Sequence, residues 1–208
     1  MKVLLAVHII GGIVALLSAG GALVTVKGSG RHRLFGKCYV GAMSAVFLSA
    51  LPLAVFQASL FLVLIGCFSF YLVFSGFRFA RNRSGEPQSR DWIAVSGVVL
   101  AGMSMWVLAY YFLRDGNDQW LTLLFFGGIA ILLGISDGRI WAKGGARGRK
   151  RIAHHLTNML AGTIAIVTAV LVVNVTTDPA WIAWIVPTIV ITPFIVYWNR
   201  RTLSADEI

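Results

Sequence analysis

The chain has 208 residues, of which 58% are hydrophobic and only 12% charged, and its mean hydropathy is +0.80. That composition excludes an ordinary soluble domain and describes an integral membrane protein, a single transmembrane domain over 1–208. The net charge of +10 does not point to nucleic acid, because the cations sit in short segments between apolar runs; membrane lipid is the partner implied.

Taken in order, the uncharged stretches give seven crossings, since about 20 apolar residues at about 1.5 Å rise each span the hydrocarbon layer. The first covers 3–26; Lys27, Arg31, Arg33 and Lys37 follow it and only Lys2 precedes it. That asymmetry favours an uncleaved helix with its N-terminus outside over a signal peptide. Cys38 to Phe77 is a run of 40 uncharged residues, twice one crossing, so it folds back as a hairpin with helices over 38–56 and 58–80. Pro52, Gln57 and Ser59 mark its turn. The remaining helices are expected over 92–113, 119–137, 152–176 and 180–199. Interfacial aromatics flank them: Trp106, Tyr110 and Tyr111, then Trp181 and Trp184, then Tyr197 and Trp198.

The charge pattern supports this count. With seven helices, 16 of the 18 Lys and Arg fall on one side, and only Lys2 and Arg114 fall on the other. The positive-inside rule makes the richer side cytoplasmic, so the expected fold is an all-α bundle in the cell inner membrane with its C-terminus in the cytoplasm. Cys38 and Cys67 have no metal-binding spacing and no plausible pairing.

Small residues suggest how the helices pack. Gly11, Gly12, Ala15, Ser18, Ala19 and Ala22 form one stripe, and Asn158, Ala161, Gly162, Ala165, Thr168 and Ala169 form another; the two faces are expected to meet each other or a common third helix. Pro52, Pro187 and Pro193 remove backbone hydrogen bonds and predict kinks.

The stretches HIIGGIVALLSAGGALVTVKGSGRHRLFGKCYVGAMSAVFLSA and SDGRIWAKGGARGRKRIAHHLTNMLAGTIAIVTAVLVVN carry a resemblance. They resemble the bacterial membrane-protein family called domain of unknown function 2306, through His8, His32, Arg33, Gly36, Asp137, Arg139 and His155. The resemblance implies a multi-pass membrane protein and brings no activity with it.

The candidate chemistry gathers at the cytoplasmic helix ends. His32, Asp137, His154 and His155 all lie at that depth, with Arg33, Arg139 and Asn158 as polar or ion-pairing support. Imidazoles with a carboxylate suit Zn²⁺, whose bound water could be a hydrolytic nucleophile. His154 and His155 are adjacent, however, and so point about 100° apart on a helix. The competing reading pairs Asp137 with Arg139 or Arg33 and leaves the histidines among lipid phosphates. A single haem b between His32 and His154 or His155 is a further ligand reading. On the outer side His8 stands level with Asn174 and Asp178, as a proton acceptor or a satisfied polar group. Three classes follow: a binding or sensor protein with a polar cytoplasmic mouth, a Zn²⁺-dependent membrane hydrolase, and a haem redox protein.

Overall fold

A computed structural model describes residues 1–204, and these contain no strand. Seven helices run in order: α1 Lys2–Val24, α2 Gly30–Phe56, α3 Leu60–Arg81, α4 Ser89–Arg114, α5 Trp120–Ala142, α6 Gly148–Asn174 and α7 Trp181–Ser204. Each is long and apolar enough to cross a membrane. The seven helices expected from the sequence are therefore present, and the 40-residue run does fold back: α2 is capped at Gln57 and α3 begins at Leu60, with Ala58 between them at φ 49°.

Several helices reach further into the basic segments than the uncharged runs do. α2 starts at Gly30 because the Ser29 hydroxyl caps it, accepting from the His32 amide at 3.2 Å. α4 starts at Ser89 because Asp91 completes a capping box with Gln88. Counting charges finds the part of a helix immersed in hydrocarbon, whereas Lys and Arg are good helix formers whose long stems carry their charge to the interface.

The contacts divide into two compact units, Met1–Phe70 and Tyr71–Ile208. In the first, α1 packs along α2 through its small-residue stripe, with Gly11, Ala15, Ser18 and Ala19 buried. A Cβ on Gly11 would meet Val46 at 3.1 Å and the Ala42 carbonyl at 3.4 Å, and one on Gly21 would strike the Phe35 ring at 2.6 Å. Gly12 lies at the edge of the stripe, with open space where its Cβ would be.

In the second unit α4 packs on α5, and α6 on α7. The α4–α5 crossing is set by reciprocal glycines: a Cβ on Gly102 would lie 2.8 Å from the Gly127 carbonyl, and one on Gly127 would lie 2.9 Å from that of Gly102. Close approach of this kind is what associates helices in lipid, where burial of apolar surface gives no drive. α3 meets α6 at Gly76, whose Cβ would stand 3.1 Å from the Met159 amide and 3.2 Å from Asn158 Cβ. Asn199 of α7 donates to Thr157 of α6 at 2.5 Å.

Candidate functional site

The polar side chains that matter lie in the second unit and arise from spacing along three helices. Tyr71 and Ser75 are one turn apart on α3, so they share a face. Both donate to the same oxygen of Asp137 on α5, Tyr71 OH at 2.7 Å and Ser75 Oγ at 2.6 Å from Oδ2. Asp137 is only 2% exposed. From α6, the His154 imidazole comes within electrostatic reach of this carboxylate. One turn further along α6, Asn158 is 1% exposed; its Nδ2 donates to the His154 carbonyl at 3.1 Å, and its Oδ1 has no hydrogen-bond partner.

An aromatic layer lies one turn away, toward the basic ends of these helices. Phe79 follows Ser75 on α3, Trp141 follows Asp137 on α5, and their rings stack at 4.7 Å, while the His154 ring also stacks on Phe79, at 5.0 Å. Phe79 and Trp141 are buried. Beyond them the loops are tied together by cations. Arg78 makes a bidentate pair with Asp91, Nε to Oδ1 at 2.6 Å and an Nη to Oδ2 at 2.8 Å, and both residues are buried. Arg151 donates to the carbonyls of Phe79 and Ala80 at 2.7 and 2.6 Å. A cation in the first turn of α6 opposes that helix's own dipole, but here it meets the unsatisfied carbonyls that end α3. Arg147 donates to the Ser84 carbonyl at 2.7 Å, and Gly145, at φ 76°, presses on Gly85 so closely that a Cβ there would overlap the Gly85 carbonyl.

Of the residues singled out in sequence, Asp137 and His154 come together here, and Asn158 lies one turn along α6 from His154, against Gly76 of α3. His155 is turned away onto the Gly76 carbonyl, 2.9 Å from Nδ1. His32 Nδ1 contacts the Ala22 carbonyl at 3.1 Å, and His8 Nδ1 contacts the Val46 carbonyl and Ser49 Oγ, each at 3.2 Å. A carbonyl only accepts, so in all three rings Nδ1 is the donor, which fixes the tautomer. Arg33, Arg139, Asn174 and Asp178 are exposed, and Asn174 donates to the Val170 carbonyl of its own helix at 2.8 Å. Among the described residues no group of three or more His, Cys, Asp or Glu is placed to hold a metal ion.

Sequence reasoning missed Tyr71, Ser75 and the Arg78–Asp91 pair. The signal was present: Tyr71, Ser75 and Arg78 recur at spacings of four and three in a largely apolar run, and Asp91 is one of two acids, with Glu86, in a basic segment.

No curated protein and no solved structure matches the chain. A family model does: that of the cation efflux transmembrane domain, over residues 47–202. This overturns the resemblance to domain of unknown function 2306. The matched interval leaves out His8, His32, Arg33 and Gly36, which carried much of that resemblance. Small-residue stripes and cation-rich turns serve packing and topology in multi-pass proteins generally, and so do not distinguish one family from another. With all of α3 to α6 and most of α7 inside the match, this multi-pass chain belongs to the cation efflux transmembrane domain family.

Proposed function

We propose that the protein moves cations across the membrane, and that the cation meets the protein at Asp137. The observation that carries this reading is a carboxylate, 2% exposed inside a membrane-spanning helix, whose hydrogen bonds come from neutral hydroxyls. An ionisable group at such depth is costly and ordinarily faces a pathway or a partner. Two hydroxyls orient the carboxylate, and a passing cation supplies the countercharge. The family match over residues 47–202 supports cation movement as the role of this layer. In this reading the cation is cargo. The protein lies in the cell inner membrane, with its basic loops and C-terminus in the cytoplasm.

A binding role without transport is the second reading, favoured by the lack, among the described residues, of a multi-residue metal cluster. In it the Asp137 layer is a polar core that organises α3, α5 and α6. The resident Zn²⁺ and haem b readings gain no observation beyond the histidines that suggested them. Flux decides between transport and binding. Purified protein in proteoliposomes should take up alkali or divalent cations faster than protein-free vesicles, and Asp137→Asn should return uptake to the vesicle background. Uptake equal in wild type and Asp137→Asn would remove Asp137 from the path.

A further inference from the structure

The exposed face of α5 carries a second site, independent of the Asp137 carboxylate and of transport. We propose that it holds one anionic phospholipid, with its phosphate on Arg139 and Lys143 and an acyl chain running along α5 into the groove between α5 and α7.

Spacing builds the site. Ile129, Leu132, Ser136, Arg139 and Lys143 follow one another at intervals of three and four, so they share one face of α5. Leu132, Ser136, Arg139 and Lys143 line a hollow of about 250 Å³ at the basic end of the helix. Ile129, one turn before Leu132, lines a second hollow of about 500 Å³ with Thr188, Thr192 and Pro193 of α7. The two hollows therefore lie end to end on one track. At about 1.5 Å per residue, Ile129 stands about 15 Å along the axis from Arg139. That is half of a hydrocarbon core about 30 Å thick, the depth of one leaflet.

Chemistry selects the occupant. Arg139 and Lys143 are exposed, and among the described residues neither side chain has a hydrogen bond or an ion pair. By contrast Arg78 is committed to Asp91, Arg147 to the Ser84 carbonyl, and Arg151 to the Phe79 and Ala80 carbonyls. A guanidinium and an ammonium one turn apart, beside the Ser136 hydroxyl, are donors suited to phosphate, which Arg can bind through two N–H groups. Leu132 and Ile135, 70% and 39% exposed, open the apolar track next to them. An anion with an apolar tail matches both ends of this track. A free phosphate matches only the cations, and a zwitterionic headgroup brings a positive charge of its own against them. Cations closing a helix also meet its dipole, but that role needs no lipid, so lipid retention is the quantity to measure.

The test is native mass spectrometry of the purified full chain in detergent, titrated with phosphatidylglycerol or phosphatidylcholine and reading the fraction of protein that keeps a lipid. Wild type should keep phosphatidylglycerol in preference to phosphatidylcholine. Arg139→Gln and Lys143→Gln should each raise the half-saturating concentration about fivefold, the effect of one cation near anionic lipid. Thr192→Trp, which fills the α5–α7 groove from an exposed position, should raise it as well. Arg33→Gln with Lys37→Gln, which removes two exposed cations one turn apart from α2, should leave it unchanged. Glycerol phosphate, the same anion without acyl chains, should not displace the lipid at matched concentration. Equal retention of the two lipids, an equal loss in the α2 variant, or displacement by glycerol phosphate overturns the assignment. A protein that is dimeric as wild type and monomeric as Thr192→Trp, with phosphatidylglycerol retention unchanged, would make the groove a contact between two copies and overturn it too.

Discussion

At the scale of single residues, Arg78 and Asp91 show how position decides the value of a charge. In sequence Arg78 is one of many cations marking the basic side; in the structure it is buried, bonded through two nitrogens to Asp91, which also accepts from the Gln88 amide at 2.9 Å. Removing one partner leaves the other charged, buried and alone. Arg78→Ala or Asp91→Ala should each cost about 3–5 kcal/mol of stability, whereas the double change Arg78→Met with Asp91→Leu should regain most of it. Thermal unfolding of the four proteins checks this, and additive losses in the double variant would show that the pair is not coupled. Asp137 was legible in sequence as an acid closing a helix. Its partners were not, because Tyr71 and Ser75 lie in an uncharged run where hydropathy reports only burial, and which helices adjoin is set by tertiary packing.

At the scale of helices, the crossings were legible and the contacts only in part. Apolar length and the alternation of cations identify a span without any knowledge of its neighbours. A glycine's role depends on the facing helix, so the stripe on α1 correctly marked Gly11 as a contact but could not separate it from Gly12, whose Cβ position is open. The backbone crossing of Gly102 against Gly127 drew no notice in sequence, although Gly127, Ala130, Gly134 and Gly138 recur along α5 at spacings of three and four. Gly102→Leu should force α4 and α5 apart and lower stability by about 1–3 kcal/mol or more. Gly97→Leu, on the same helix with nothing within 4 Å of its Cβ position, should be tolerated, as should Gly12→Leu on α1. Equal Tm losses for Gly102→Leu and Gly97→Leu would show that the glycine crossing does not set the packing. Gly145→Ala tests the loop contact: it should loosen the loop that Arg147 ties to Ser84, read as faster proteolysis there.

At the scale of the whole molecule, the proposed sidedness rests on the sequence, in which seven alternating crossings would put 16 of the 18 Lys and Arg on one side. A reporter fused after Ile208 should behave as cytoplasmic and one fused before Met1 as periplasmic; the reverse pattern would invert the assignment of the basic loops. The same arrangement places Asp137 beyond the Phe79–Trp141 stack when approached from the basic ends. Whether cations pass that carboxylate is read most directly as displaced charge, by applying cation concentration jumps to proteoliposomes adsorbed on a solid-supported membrane. The account expects a transient current with the wild-type protein, a smaller one with Tyr71→Phe, and none with folded Asp137→Asn. A current of undiminished size in Asp137→Asn would contradict it.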